Sequence, residues 1–335
     1  MTRQGDTRSI GADGGTVPDG AQGGPAPPAP EGMSAGEPVE VAPGVVRLLA
    51  PNPGRMTGPG TNTYLVGAGR LALVDPGPDD DVHLGRILEL YGDRIGWIVV
   101  THSHIDHSPL SRRLSAATGA PVVGFGPPPA PAGPGPTGID PHDAGFAPGV
   151  LLADGERLHL GDAALEAVWT PGHASNHLCL ELAGTGLLFS GDHVMSGSTV
   201  VIAPPDGDMA IYLESLEKVR RRRPRRIAPG HGGMIEDPGS VLDGYLRHRV
   251  ERELQVAQTL ASAGPDGLTA EAIVEVLYRD VPKELHPVAR YTVWAHLRKL
   301  QSDSRADSPD RDDVDAPWTS RPGPDQPKLR KMRKA

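Results

Sequence analysis

Short apolar runs separated by polar turns predict a protein with two groups of β-strands. From Val45 onward, runs of four to six apolar and β-branched residues alternate with turns rich in Gly, Pro and Asp. The first group of predicted strands is Val45–Leu49, Thr63–Val66, Leu71–Val74, Ile95–Val100 and Val122–Phe125. The second group is Arg157–Leu160, Ala164–Trp169, His177–Leu182, Gly186–Phe189 and Arg226–Ala228.

Apolar residues at helical spacing predict helices between these strands and after them. The candidates among the strands are Asp80–Leu90, a segment from near His107 to Gly119, and Met209–Arg222. After His231 the predicted helices are Gly239–Ala263, Thr269–Tyr278 with Thr269 as its N-cap, and Leu285–Leu300. Strand clusters interrupted by helices indicate an α/β fold with helices outside the sheets, followed by a small helical module.

The polar ends of the chain and one internal stretch contain too few apolar residues to form a core. Residues 1–40 are therefore predicted to be a disordered tail, and residues 302–335 a second one. Between them, residues 41–238 are predicted to form the α/β domain and residues 239–301 the C-terminal helical module. The Pro-rich stretch Gly126–Gly149 is predicted to be a long surface loop.

Composition excludes several classes of protein. The 335 residues suit one large or two modest domains, and the formal net charge of −9 argues against general attraction to nucleic acid. A single cysteine, Cys179, excludes an intramolecular disulfide and a thiolate metal cluster. Since no apolar stretch is long enough for a signal peptide or a membrane span, we expect a cytoplasmic protein without membrane contact.

One histidine-rich segment directly follows the predicted strand Ile95–Val100. It places His102, His104, Asp106 and His107 within six residues. Imidazole nitrogens and carboxylate oxygens are good zinc ligands. In an extended turn the side chains of His102 and His104 point in the same direction, whereas those of Asp106 and His107 can face a second position next to it. The segment can therefore supply two adjacent metal ions, although a polar loop with capping histidines is the alternative.

Three later turns repeat this arrangement. His173, Asp192 and His231 each follow a predicted strand and each has a glycine beside it. A glycine lets the backbone come close to a bound ion. Any one of these residues can be incidental, but four such turns predict one site assembled from strand ends.

These motifs, in this order, resemble the metallo-β-lactamase superfamily over residues 44–235. The resemblance implies a four-layer αβ/βα sandwich with two metal ions at one edge of its packed sheets. It implies that one zinc ion is bound by His102, His104 and His173, and the other by Asp106, His107 and His231. Asp192 would bridge both ions. Mn²⁺ and Fe²⁺ remain open as alternatives to zinc.

Other segments resemble the β-lactamase-like protein 2 family, whose eukaryotic members are single-strand endoribonucleases. The segments are residues 60–67, 74–77, 170–173 and 229–232, and a winged-helix-like end around 278–300. That family has a short β-wing after its last helix, which is not predicted in the polar sequence from Ser302. Zinc β-lactamases carry Cys where this chain has Asp192, so β-lactam hydrolysis is not expected as its main task.

The leading hypothesis is a dinuclear zinc hydrolase that uses a metal-bridging hydroxide on a small ester, thioester or lactone. Asp106 would orient the hydroxide besides binding a metal. Asp75, at the end of a predicted strand, is a candidate acceptor for the N–H of a metal-bound imidazole, the alternative being a turn-forming role. No substrate-binding residue is identified, and the oligomeric state stays open, a homodimer being one alternative.

Cleavage of single-stranded RNA is the alternative function. For it, the run Arg220–Arg226 would be a phosphate track, whereas a structural interpretation has these cations offset a helix dipole. A nucleic-acid-binding regulator with a vestigial metal site is the third hypothesis. The complete ligand set argues against it.

Overall fold

The first sheet contains seven strands that follow one another in chain order. The computed structural model describes residues 33–129 and 141–321. The strands of this sheet are β1 Pro38–Ala42, β2 Val45–Leu49, β3 Asn62–Val66, β4 Leu71–Val74, β5 Ile95–Val99, β6 Val122–Gly124 and β7 Val150–Leu151. Strands β1 to β4 are antiparallel, whereas β4 to β7 are parallel.

The second sheet contains five strands in the order β12-β11-β10-β9-β8. They are β8 Arg157–His159, β9 Ala164–Trp169, β10 Leu178–Leu182, β11 Leu187–Gly191 and β12 Arg226–Pro229. Strand β10 is antiparallel to both β9 and β11, and β11 is parallel to β12. Strands β9, β11 and β12 therefore all end at the same edge of this sheet.

Six α-helices accompany the sheets in the described part of the chain. They are α1 Asp81–Tyr91, α2 Leu110–Thr118, α3 Met209–Arg222, α4 Pro238–Ala261, α5 Ala270–Leu277 and α6 His286–Ser302. The predicted N-cap Thr269 accepts a hydrogen bond from the amide of Ala272 at the start of α5. Within residues 33–129 and 141–321, none of the helices combines the length and apolar character needed to cross a bilayer.

Three apolar layers hold the α/β domain together. Between the two sheets, Val74 and Val99 of the first pack with Leu180 and Phe189 of the second. On the outer face of the first sheet, α1 and α2 bury their apolar sides, including Ile87. Helix α3 covers the outer face of the second sheet. The order helix, sheet, sheet, helix confirms the predicted four-layer αβ/βα sandwich with a C-terminal helical module.

Both predicted tails are wrong where they adjoin the domains. Strand β1 begins at Pro38 and pairs with β2, inside the predicted tail 1–40. After α6, β13 Ala306–Asp307 and β14 Thr319–Ser320 form an antiparallel pair, and Trp318 is fully buried beside them. The average composition of these segments is polar, and it does not show that a few of their apolar side chains are buried against the domains. Residues 1–32 and 322–335 lie outside the described residues.

Trp318 should contribute strongly to the stability of the C-terminal module, because its side chain packs among residues of α4, α5 and α6. Trp318→Ala should lower the free energy of unfolding of the module by about 3–5 kcal/mol, the usual cost of removing a buried tryptophan. Urea denaturation followed by circular dichroism measures this loss. Val276→Ala, at a half-exposed apolar site of the same module, is the control; an equal effect of both variants would contradict the buried tryptophan anchor.

His83 makes stability depend on pH. Burial lowers the pKa of His83 to about 4, only partly opposed by Asp80, and its Nε2 donates to the Thr63 hydroxyl at 2.9 Å. In the unfolded chain His83 takes up a proton near pH 6.5, whereas in the folded chain it does so only near pH 4. The free energy of unfolding therefore falls as the pH is lowered through this range. His83→Gln should remove about 2 kcal/mol of the loss between pH 7 and pH 5.

The measurement is the free energy of unfolding at several pH values for the wild type and the variant. Other histidines of the unfolded chain also take up protons in this pH range, and comparing the two proteins cancels their contribution. His159→Gln, at an exposed histidine, is the control. If the free energy of unfolding of His83→Gln depends on pH as in the wild type, His83 is protonated equally in the folded and unfolded chains.

Candidate metal centre

The histidine-rich segment lies where the parallel strand β5 ends. Backbone hydrogen bonds from His107 and Ser108 to the carbonyl of His104, both at 3.0 Å, fold it into a turn before α2 begins at Leu110. This turn separates His102 and His104 from Asp106 and His107. The predicted helix start near His107 is thus three residues early.

The first group of ligand atoms comes from His102, His104 and His173. His173 Nε2 lies 3.0 Å from His104 Nδ1, close to the roughly 3.3 Å separation of two nitrogens bound tetrahedrally to one zinc ion. His102 Nε2 is buried and has no hydrogen-bond partner among the described residues. Three imidazole nitrogens therefore converge on one point, which suits a cation.

The second group comes from Asp106, His107, Asp192 and His231. His231 Nε2 lies 3.2 Å from both His107 Nε2 and Asp106 Oδ2. Asp192 Oδ1 lies 3.4 Å from each of the two imidazole nitrogens. All ligand atoms of this group lie within 4.8 Å of one another.

Asp192 lies between the two groups. While its Oδ1 faces His107 and His231, its Oδ2 lies 3.7 Å from His173 Nε2 in the first group. Its Oδ1 is buried and lacks a hydrogen-bond partner among the described residues. One carboxylate oxygen thus faces each group, which is the arrangement of a ligand shared by two cations.

The two groups differ in their electrostatics. Burial, together with neighbouring imidazoles, holds the pKa of His102 and of His104 well below the usual range, so their lone pairs stay free. Burial also opposes protonation of His231, but Asp192 and Asp106 raise its pKa to about 10. The negative charge therefore concentrates at the second group, where a divalent cation can replace the protons.

Asp75 lies behind the ligands and accepts three hydrogen bonds. Its Oδ1 accepts from the Thr101 amide at 2.8 Å, and its Oδ2 accepts from the Thr101 hydroxyl and from His107 Nδ1, both at 2.9 Å. The bond to Nδ1 fixes the tautomer of His107 that leaves Nε2 free for a metal. Asp75 has a left-handed φ of 53°, which its side-chain bonds help to stabilise.

Two backbone carbonyls orient other ligand imidazoles. His173 Nδ1 donates to Val201 O at 2.8 Å, and His231 Nδ1 donates to Gly60 O at 3.1 Å. Gly230 shows why a glycine precedes His231: a Cβ there would lie 2.7 Å from Asp192 Oδ1 and from His107 Cε1.

The sequence did not show which groups Asn62 and His177 contact, although His177 flanks a ligand motif. The Asn62 amide donates to Pro229 O at 2.9 Å and Gly232 O at 2.8 Å, holding the turn that carries His231. His177 Nε2 accepts from the Asp192 amide at 3.1 Å. The motif 60–67 contained Asn62, but nothing in its spacing showed which distant turn its amide reaches.

The end of the Pro-rich stretch also belongs to the site. Ile105 N donates to Pro141 O at 2.9 Å, and Asp143 N donates to Ser103 O at 2.6 Å. His142 Nδ1 lies 2.7 Å from Ser103 Oγ. The prediction of a surface loop over Gly126–Gly149 is therefore wrong for this end, and residues 130–140 lie outside the described residues.

Comparisons with known proteins agree with this geometry. Residues 56–231 match the metallo-beta-lactamase superfamily, and residues 269–318 match the beta-lactamase associated winged helix domain. The beta-lactamase-like protein 2 homolog of Drosophila melanogaster is 37% identical over 274 residues, 78% of this chain and 89% of the fly protein. Lactamase-like protein adaB of Aspergillus niger is 30% identical, over 79% of this chain and 83% of the fungal protein.

A solved structure shows the same fold. A beta-lactamase domain protein from Burkholderia ambifaria superposes with a TM-score of 0.71 at 23% identity, covering 86% of this chain and 94% of that protein. The match to the winged helix domain extends to residue 318. This match includes β13 and ends one residue before β14, so a β-pair that the sequence analysis did not predict follows the last helix.

Replacing Asp75 by Asn should weaken metal binding without unfolding the protein. The amide nitrogen of Asn only donates, so Asn cannot accept all three hydrogen bonds, and either His107 Nδ1 or the Thr101 amide loses its acceptor. The support that orients His107 is weakened in both cases. Loss of such an outer hydrogen bond usually costs 10–100-fold in metal affinity, roughly. Competition with a chromogenic chelator measures the change, and Asp79→Asn, an exposed carboxylate paired with Arg113, is the control. Equal affinities for the two variants would exclude this role of Asp75.

Proposed function

Since the chain belongs to the metallo-β-lactamase superfamily of hydrolases, we propose that it is a dinuclear zinc-dependent hydrolase of a small ester, thioester or lactone. The observation that carries the proposal is Asp192, which presents one carboxylate oxygen to each of two groups of ligand atoms. The assembled ligand set argues against a regulator with a vestigial metal site.

One zinc ion would be held by His102, His104 and His173, and the other by Asp106, His107 and His231, with Asp192 shared. Bound there, the ions supply Lewis acidity, which ionises water near neutral pH and polarises a carbonyl oxygen. The donors suit zinc, since they are imidazole and carboxylate groups. Burial raises the pKa of the Cys179 thiol to about 12, so this residue supplies neither a thiolate ligand nor a nucleophile.

Asp106 is proposed as the residue that orients the attacking water. Its side chain is 22% exposed, against 9% or less for the other three members of the second group. Burial alone would raise its pKa, but His107 and His231 outweigh burial and keep it well below the usual range. Asp106 therefore remains an ionised acceptor, with Oδ2 turned to the ligands and a second oxygen available to a water molecule.

The ion pairs of the two basic segments support a small substrate rather than RNA. Within Arg220–Arg226, four arginines form ion pairs: Arg220 and Arg221 with Glu217, Arg222 with Glu166 and Glu181, and Arg226 with Glu236. On α6, Arg290 and Arg298 pair with Asp315 and Asp312. Cations already paired with carboxylates contribute little to phosphate binding.

One observation supports RNA cleavage as a second candidate. The ring of Trp169, four residues before His173, stacks on Phe125 with centroids 5.2 Å apart, and Trp169 is 37% exposed. Exposed aromatic rings bind the bases of single strands by stacking. The activity test therefore includes RNA.

Replacing His102 and Asp192 together by Ala should abolish turnover, because each group then loses a ligand. The purified protein is tested on acyl thioesters, lactones and single-stranded RNA, with chelator and after return of Zn²⁺, Mn²⁺ or Fe²⁺. We expect metal-dependent hydrolysis of the thioester or lactone, lost in the double variant while circular dichroism is unchanged. Replacement of the exposed pair His159 and Asp162 by Ala is the matched control.

Undiminished turnover in the double variant would remove the hydrolase proposal. Cleavage of RNA without cleavage of the small substrates would instead establish the second candidate. In that case Trp169→Ala should reduce RNA cleavage, since it removes the exposed ring.

A further inference from the structure

Residues 192–203, here called the connecting loop, join two parts of the metal centre. The loop starts at Asp192, the residue shared by both ligand groups, and contains no helix or strand. Near its other end, the carbonyl of Val201 accepts the hydrogen bond from His173 Nδ1 at 2.8 Å. The position of this loop therefore determines how the imidazole of His173 is oriented.

Two buried side chains of α4 fix the connecting loop. The Tyr245 hydroxyl accepts from the Met195 amide at 2.9 Å and lies within donating distance of the carbonyls of Met195 and Ser198. The Arg249 guanidinium donates to the carbonyl of Val200, the residue before Val201. Both side chains are at most 1% exposed, so water does not replace these contacts.

The second ligand group has different supports. His107 is oriented by Asp75, His231 by the carbonyl of Gly60, and the turn carrying His231 by Asn62. All three supporting residues belong to the first sheet or its adjoining turns. The Asp192 amide donates to His177, the residue before β10 of the second sheet, rather than to a residue of α4. Loss of the α4 contacts should therefore disturb the first group and leave the second largely in place.

We propose that Tyr245 and Arg249 are positioning residues for the first metal, acting through the connecting loop on His173. Helix α4, which begins the C-terminal module, is then a structural part of the metal centre. This inference rests on the proposed binding of two metal ions. Two residues outside the ligand set thereby affect the binding of one of the two metal ions selectively.

Tyr245→Phe is the sharpest test, because it removes one hydroxyl and keeps the buried ring. The Met195 amide and the Ser198 carbonyl then lose a buried partner, and the loop can shift. Affinity for the first metal should fall, by at most about the 10–100-fold that loss of a hydrogen bond made directly by a metal ligand costs, while that for the second changes much less. Arg249→Lys should act in the same direction, since lysine keeps the charge but lacks the guanidinium.

The measurement is a titration of metal-free full-length protein with Co²⁺, followed by visible absorption. His104→Ala and His231→Ala, each missing a ligand of one group, provide reference spectra for a protein with only the second or only the first site. We expect Tyr245→Phe at limiting Co²⁺ to resemble His104→Ala. Tyr64→Phe is the matched control, because it removes an equally buried hydroxyl from the carbonyl of Pro229 beside the second group.

The outcomes separate this inference from the proposed function. A wild-type protein that binds fewer than two Co²⁺ ions would overturn the dinuclear proposal itself. If the wild type binds two, an unchanged titration of Tyr245→Phe, or an equal loss of both ions, would overturn the selective role of α4. A fall in thermal stability without selective metal loss would mean that Tyr245 is only a core residue.

Discussion

The crowding of two carboxylates and five imidazoles at one edge of the sandwich is the constraint on which the rest depends. Their ligand atoms lie within a few ångströms of one another, and His102 Nε2 and Asp192 Oδ1 have no hydrogen-bond partner in the described chain. Without cations such an arrangement costs free energy, because buried polar groups need partners. The sheets allow it because β9, β11 and β12 run in one direction, so their ends deliver His173, Asp192 and His231 together.

The side chains that would bind the metal ions are oriented by residues from both sheets. His107 is fixed by Asp75 after β4, His231 by the Gly60 carbonyl before β3, and His173 by the connecting loop after β11. Each bond occupies one ring nitrogen and leaves the other for a cation. The distance between the two ligand groups is therefore set by how the sheets pack. A substitution that alters the packing between the two sheets would therefore also displace the ligand side chains.

The parts that the sequence predicts well are those governed by local rules. Strands β2, β4 and β9 and helix α3 have the predicted bounds because their apolar runs stop at turn-forming residues. The ligand turns were found for the same reason. Trp318, His142 and the partners of Arg222 were not predictable locally: their structure depends on contacts with residues far away in the chain. A composition average over residues 302–335 cannot show that one tryptophan anchors a polar segment.

The C-terminal module is joined to the α/β domain through its interior rather than through a linker. Ala295 of α6 packs in the same apolar cluster as Tyr212 of α3 and Tyr245 of α4, and this cluster also contains Val200 and Ile202 of the connecting loop. The cations of α6 meanwhile pair with the aspartates that follow it. A module made for phosphate binding would keep such cations unpaired and exposed. Its buried contacts instead connect it with the loop beside His173, as the proposed positioning of the first metal requires.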